Sequence, residues 1–340
     1  GAVAIGTSAL AVLTSGQRTT AIGYQAGLTA TTIDYTTIVG YQAGLKLLDS
    51  THNTLVGYTA GYSLGSDEAD NNTFIGASAG SSGDYSATNN NTAKNNVGIG
   101  KSAMGGAQGG GSAFNFTASD NVAVGSGAGA AITTDSRVVA IGKGAYLAND
   151  TTNGHDGSTA TLGSGNMAIG YKSMTGLNDV NAFRNTMVGY ETMLDCGSAN
   201  ASDNTALGFQ ALKSINNNSS DSNTAIGSKA LTALTTGANN VAVGSNALDA
   251  LTTGGNALGT ATAGQHNIAI GYQAGDALKE DEEYNIAIGI DALGAMDEGS
   301  SGNIDHNIAI GYNALLGGDH GTASTNVNEC IAIGKEALDA

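Results

Sequence analysis

Short apolar triplets recur along the chain, and a glycine directly follows each of them. Examples are "NIAIGYQAG" from Asn267 to Gly275 and "NVAVGSNAL" from Asn240 to Leu248. The outer residues of a triplet share one face of an extended chain and the middle residue has the other, so the two faces differ in size. The pattern therefore predicts one short β-strand in every copy of the repeat.

The glycine that follows the triplet is taken as position 0, and it occurs seventeen times. The intervals between successive copies are uneven, so a basic unit of roughly 17 to 19 residues carries insertions in some copies. Glycine at this point allows a bend or a positive φ that other residues resist. The repeat glycines are Gly6, Gly23, Gly40, Gly57, Gly76, Gly100, Gly125, Gly142, Gly170, Gly189, Gly208, Gly227, Gly244, Gly271, Gly289, Gly311 and Gly334.

The columns on either side of this glycine are almost invariant in character. Position −1 is always Ile, Val or Leu, position −3 is Val, Ile or Thr in all copies but one, and position −4 is Asn in twelve copies, which suits entry into a turn. Position −2 is alanine in twelve copies, and we expect this face to pack against the same face of sister chains, because a small coil lined with alanine buries little apolar area by itself. These alanines are Ala4, Ala21, Ala123, Ala140, Ala168, Ala206, Ala225, Ala242, Ala269, Ala287, Ala309 and Ala332.

The repeat predicts an all-β fold, a β-solenoid of about 17 coils of roughly 17–28 residues, which runs through residues 1–340 as one continuous stack. Each coil would have the clear strand and a second, weaker strand around positions +1 to +5. Insertions are predicted to protrude as loops at roughly 81–95, 105–120, 147–165 and 249–266. The chain begins and ends within the pattern, which predicts a segment of a longer fibre.

Composition agrees with a solenoid rather than an ordinary globular core. The chain has 52 Gly, no Pro, no Trp and 5 Phe, and it has a formal net charge of −17. The absence of proline keeps every backbone N–H available for a strand ladder. The negative charge argues against binding to nucleic acid and against docking on an anionic membrane, and no apolar run is long enough to insert into one.

The core "N-x-A-[IV]-G-x-x-A" resembles repeats of the "NTAIGYQAL" type in phage tail fibres, and is similar to the left-handed parallel β-roll heads of trimeric autotransporter adhesins. The resemblance covers essentially the whole chain and implies a parallel homotrimer in an attachment fibre. The units are longer and less regular than in the adhesin heads, Tyr follows the glycine in seven copies, and no membrane-anchor segment is recognisable. These departures favour the phage fibre.

Most residue sets that could carry chemistry are better explained by the repeat. Lys101 in "GIGKSAMGG" invites comparison with a phosphate-binding loop, but Asn95 stands where that loop needs glycine. His52, His266 and His306 share position −5, where a trimer could bring imidazoles together around a metal, although their neighbours in the column are typical of a solvent-facing turn. The sequence predicts neither an enzyme nor a resident cofactor or metal.

Two further features leave alternatives open. Tyrosines at position +1 could form a carbohydrate platform or a ladder between coils: Tyr24, Tyr41, Tyr58, Tyr171, Tyr190, Tyr272 and Tyr312. Acidic loops such as "DTTNGHDG" (Asp150 to Gly157) could bind Ca²⁺, but they lack the spacing of a calcium loop.

The expected function is that of a structural segment of a phage tail fibre, outside the cell, which positions a receptor-binding tip. The expected partners are the chain itself, other virion or fibre proteins and a host-surface glycan or protein. The alternative is a bacterial surface adhesin of the trimeric autotransporter type.

Overall fold

The computed structural model confirms the all-β, parallel solenoid fold. It describes residues 1–65, 68–81, 92–105, 117–130, 132, 135–147, 165–176, 182–195, 201–215, 220–234, 237–249, 251, 266–276, 278, 282–294, 303–317 and 326–338, and among them there is no helix. The four predicted loops fall mostly outside these ranges. The chain forms two compact units, Gly1–Gly176 and Leu177–Ala340.

Each repeat contributes one short strand, and neighbouring strands within a unit pair in parallel. The first unit contains β1 (Ala2–Ile5), β2 (Thr19–Ile22), β3 (Thr37–Val39), β4 (Thr54–Val56), β5 (Thr73–Ile75), β6 (Val97–Ile99), β7 (Val122–Val124), β8 (Val139–Ile141) and β9 (Met167–Ile169). The second contains β10 (Thr186–Val188), β11 (Thr205–Leu207), β12 (Thr224–Ile226), β13 (Val241–Val243), β14 (Ile268–Ile270), β15 (Ile286–Ile288), β16 (Asn303–Asp305), β17 (Ile308–Ile310), β18 (Asn326–Asn328) and β19 (Ile331–Ile333). Of these strands only β16 and β18 lie outside the repeat triplets, and they pair with each other.

The register places equal repeat positions side by side. Ala21 lies opposite Ile38 in the next copy, where the repeat has its basic length. Ala140 lies opposite Ala168 in the same way, although an insertion separates these two copies. Inserted residues therefore leave the pairing of the strands unchanged. Every column of the repeat becomes a row of side chains along the unit.

The alanine face points into the coil of its own chain. Eleven of the twelve position −2 alanines are 0 or 1% exposed in a single chain, and only Ala4, in the first strand, is exposed. The expectation that sister chains cover this face is therefore wrong. The turn that follows each strand folds back over the alanines and covers them, as the buried alanines of position +3 show.

Side-chain size is matched across this narrow interior. At three of the four bulky −2 residues, Ile38, Leu55 and Phe74, the residue at position +4 of the same coil is glycine, whereas Met187 is combined with Met193. A Cβ at Gly61 would lie 2.6 Å from Leu55 Cδ2. In most copies with a small −2 residue, position +4 instead carries Leu, Met or Tyr, so the volume inside the coil is filled in either case.

The second strand predicted at positions +1 to +5 is wrong, because this segment is a series of turns. Alternate residues in it have a positive φ, for example 51° at Gln42 and 55° at Gly44. The Gln42 N–H donates to Tyr24 O in the preceding coil (2.8 Å), and the Gly44 N–H donates to Ala60 O in the next (2.8 Å). The turns are thus tied to both neighbours without forming a ladder of extended strands.

The repeat glycines have the backbone geometry that only glycine adopts readily. Their φ values all lie between 124° and 146°. A Cβ added at Gly6 or Gly100 would lie 2.5 Å from the carbonyl oxygen of the repeat glycine in the next coil. Both conformation and close backbone approach therefore require glycine at position 0.

Candidate functional site

The outward face of each sheet is uncharged and mostly apolar, with threonine at some −3 positions. Position −3 and position −1 side chains project away from the interior, and neither column contains a charged residue in any copy. In inner strands of the two units Ile75 is 38% exposed, Leu207 is 48% exposed and Ile270 is 40% exposed. Contiguous apolar surfaces of this kind are uncommon on monomeric proteins and mark sites of association.

The position +1 tyrosines of the first unit form a stacked ladder beside this face. The ring of Tyr41 stacks on Tyr24 at a centroid distance of 5.2 Å and on Tyr58 at 5.4 Å, with interplanar angles of 15° and 8°. Both faces of Tyr41 are therefore covered by other rings. Because a sugar stacks on the face of an aromatic ring, this geometry favours the ladder and leaves the ring edges towards solvent.

A second ring column at position −5 borders the other side of the strands. In the second unit Tyr284 lies between His266 and His306, with centroid distances of 4.7 and 4.9 Å. In the first unit His52 stacks on Tyr35 at 4.7 Å, and the Arg18 guanidinium lies 4.6 Å from the centre of the Tyr35 ring. These histidines are exposed and sit on tyrosines rather than on each other. Sequence reasoning identified the histidines but missed the tyrosines between them.

The same column carries a two-point ion pair in the second unit. The Arg184 guanidinium donates to both carboxylate oxygens of Asp203, from Nε at 2.6 Å and from Nη2 at 2.8 Å. These hydrogen bonds lower the pKa of the Asp203 carboxyl and raise the pKa of Arg184. Both groups face solvent, so the pair aligns two coils without adding much stability.

The position −4 asparagines form a buried ladder inside the coils. Asn204 Nδ2 donates to Asn185 Oδ1 (3.2 Å) and to Ser220 O (2.8 Å), while Asn204 Oδ1 accepts from the backbone N–H and the side-chain amide of Asn223. Each amide within the ladder thus uses its donors and acceptor on the neighbouring coils. These asparagines therefore link neighbouring coils in addition to their expected role at the entry to a turn.

Within the run of asparagine-bearing coils in the first unit, one coil departs from this arrangement. Val138 replaces the ladder asparagine, and the coil also contains two buried titratable residues, Asp135 and Tyr146. Tyr146 Oη lies 3.4 Å from Asp135 Oδ2, and Asn166 Nδ2 of the next coil donates to Tyr146 Oη at 3.3 Å. Burial raises the pKa of the Asp135 carboxyl well above its usual range, and the hydrogen bond from Tyr146 opposes this shift only in part. Burial and the nearby Asp135 charge also raise the pKa of Tyr146.

This departure has a sequence signal that repeat alignment can detect. Position −4 is Val rather than Asn, position −7 is Asp, and position +4 is the one tyrosine among Leu, Met and Gly residues. Each change is unremarkable alone. Because all three changes occur in one coil, they indicate that Asp135 and Tyr146 compensate for the loss of the ladder asparagine at Val138.

The other sequence candidates give no site in the described ranges. Lys101 is the exposed position +1 residue of an ordinary repeat turn, and Gly100 before it has the same conformation as the other repeat glycines. No group of three or more His, Cys, Asp or Glu side chains that could hold a metal ion occurs in the part of the chain that the structure describes. The segment Asp150 to Gly157 lies outside that part. Among the described residues, no helix has the length and apolar character to cross a membrane.

No protein-family model matches the chain, and comparison with curated proteins and with solved structures also finds no match.

Proposed function

We propose that the chain is a structural segment of a phage tail fibre, in which three parallel copies associate and hold a receptor-binding tip away from the virion. The observation that carries the proposal is the uncharged apolar face on the outward side of each sheet. The fold supports a role as scaffold, since stacked coils place the same surface at every level. The chain would then act outside the cell, with other fibre proteins and a host-surface glycan or protein as further partners.

The association surface in this proposal is the outward sheet face rather than the alanine face. The four columns from −5 to +1 are about 20 Å wide, and nine strands extend about 40 Å, which gives on the order of 800 Å² per chain in the first unit. This area is comparable to the surface that each partner buries in an ordinary stable interface. Parallel copies related by rotation would bring identical columns together in every coil.

The oligomeric state in solution tests this proposal directly. We expect sedimentation equilibrium to give about three times the chain mass of 33.5 kDa. Changing Ile75→Lys together with Ile99→Lys puts two charges into the position −1 column, and should yield folded monomers because buried unpaired charges oppose association. The control Glu68→Lys changes the charge of an exposed residue at position −8, outside these four columns, and should remain trimeric. A soluble, folded wild-type monomer at micromolar concentration would contradict the proposal.

The bacterial adhesin remains the second candidate, because the same uncharged face would serve a trimeric adhesin equally well. Immunogold electron microscopy with an antibody against this chain separates the two. Label on phage tails supports the fibre, whereas label on the bacterial surface supports the adhesin.

A further inference from the structure

Among the described residues of the first unit, the buried cluster of Asp135, Tyr146 and Asn166 holds a carboxyl group in the interior that forms no ion pair with a positive side chain. Asp135 is 0% exposed, and its Oδ1 atom has no hydrogen-bond partner in the described part of the chain. Position −7 is alanine in five other coils: Ala69, Ala93, Ala118, Ala182 and Ala201. A carboxyl group at this position is therefore not needed for the coil to form.

The cluster repairs an interruption of the asparagine ladder. The ladder of the preceding coils ends at Asn121, whose Oδ1 accepts from the Val138 N–H at 2.8 Å and whose Nδ2 donates to Asp135 O at 2.9 Å. Asn166 of the next coil has no asparagine before it, and it donates to Tyr146 Oη instead. The tyrosine hydroxyl thus takes the place of the missing amide oxygen, and it links Asn166 to the carboxyl group of Asp135.

We propose that this cluster binds a proton and that the proton holds the coil closed, so that the first unit loosens at this coil when Asp135 ionises. A neutral carboxyl group can lie in this interior with one weak hydrogen bond, whereas a carboxylate needs charge neutralisation or several donors. Tyr146 is the titratable group that contacts Asp135. Arg137 and Asp120, the charged position −5 residues of this coil and of the preceding one, are exposed.

The direction of the pH effect follows from the raised pKa of the folded state. A carboxyl group that binds its proton more tightly when folded contributes its full stability below the pKa of the unfolded chain, and this contribution disappears as pH rises through the folded pKa. The coil is therefore most stable in acid and opens more readily as pH rises towards the folded pKa of Asp135. This is opposite to the behaviour of an exposed, ion-paired acid such as Asp203, whose pKa is lowered.

Amide hydrogen exchange of the full chain tests the proposal. The Val139 and Tyr146 N–H groups bond to Asn166 O and Ser173 O, so they report on the contact between this coil and the next, and the Thr37 N–H is a reference in a distant coil of the same unit. After correction for intrinsic exchange, we expect the opening constant at Val139 and Tyr146 to rise by up to about tenfold per pH unit between the pKa of the unfolded chain and the folded pKa of Asp135, and to level off above the folded pKa. The opening constant at Thr37 should not change.

Three variants complete the test. Asp135→Ala installs the residue that other coils carry, and Asp135→Asn keeps the shape without the charge, so both should remove the pH dependence at Val139 and Tyr146. Asp120→Asn, the matched change at an exposed acid of the preceding coil, should keep it. Equal pH dependence in the wild type and in both Asp135 variants would overturn the proposal. Protection that increases with pH, or on addition of K⁺ or Ca²⁺, would also overturn it, because a carboxylate with a bound cation would then be the stable form.

Discussion

The repeat glycine is the residue on which the geometry of each coil most depends. At Gly125 φ is 133°, and an added Cβ would lie 2.6 Å from Gly142 O. Gly127, two residues later, also has a positive φ (67°), but nothing lies within 4 Å of its Cβ position. An alanine at Gly127 would therefore meet only backbone strain, whereas an alanine at Gly125 would meet both strain and a steric clash with the next coil.

We predict that Gly125→Ala lowers the free energy of unfolding by about 3 kcal/mol or more, because both strain and collision act there. Gly127→Ala should lower it by only about 1 kcal/mol, since the left-handed region is accessible to alanine at a modest cost. Urea unfolding of the wild type and the two variants measures the difference. Equal losses would show that the close approach of the glycine columns contributes little.

The buried asparagine ladder gives a second prediction at this scale. Asn204→Ala removes one amide and leaves Asn185 Oδ1, Ser220 O and the Asn223 N–H without that partner, so we expect a loss of about 3 kcal/mol or more in the free energy of unfolding.

Asn204→Thr is the informative companion, because Thr36 occupies the same column and its Oγ1 accepts from the Asn53 N–H. It should lose roughly half as much as the alanine variant, since it retains an acceptor for Asn223. Chemical unfolding measures both variants. A loss of less than about 1 kcal/mol for the alanine variant would mean that water replaces the amide.

At the residue scale the sequence predicted position 0 and the strand columns well, because their preferences are local. It could not say which face of the triplet points inwards. In the triplet Val241, Ala242 and Val243 the two valines share one face and the alanine has the other, and both faces are apolar. The pattern is therefore compatible with burial of either face. The choice is made by the turn, whose buried residues, such as Ala247 and Leu248, fill the interior and leave room only for a methyl group. The assignment of the alanine face to a contact between chains failed for this reason.

At the scale of the element, the strands were predictable and the turns were not. A short strand with β-branched ends has a clear pattern. The turn residues Gln25, Glu191 and Leu212 have a positive φ, although Gln, Glu and Leu do not favour that conformation. Hydrogen bonds to the coils before and after impose it, and a single repeat read by itself does not contain them.

The tyrosine ladder is an element-scale feature with a measurable contribution. Tyr41→Ala removes the middle ring and both of its stacking contacts, so we expect the free energy of unfolding to fall by about 1–2 kcal/mol. Tyr272 is a matched control, because it has the same repeat position and is similarly exposed (48%, against 45% for Tyr41), while its column neighbours are Ser245 and Ile290.

Tyr272→Ala should cost less than about 0.5 kcal/mol, as is usual for an exposed side chain without specific contacts. Urea titration of both variants, followed by circular dichroism, gives the two losses. Equal effects would show that the stacked rings add nothing beyond the area that each tyrosine covers.

At the scale of the whole molecule, the sequence established the fold class because the same signal recurs in every repeat. The irregular coil at Asp135 was hidden by that redundancy, since one altered copy among seventeen resembles ordinary variation. Repetition thus makes the architecture easy to predict and makes a local exception difficult to see. The residues that break a column include Val138 and Cys330 at position −4 and Tyr146 at position +4.

The constant register has a genetic consequence. Within each unit the described repeat strands pair at the same positions whether or not an insertion separates them, and each pairs with the repeat strands of the adjacent copies. Replication slippage by one whole repeat copy would therefore add or delete one coil without changing how the strands on either side pair. Variants of this gene that differ in copy number should encode proteins of different lengths that fold equally well, so length can evolve independently of sequence.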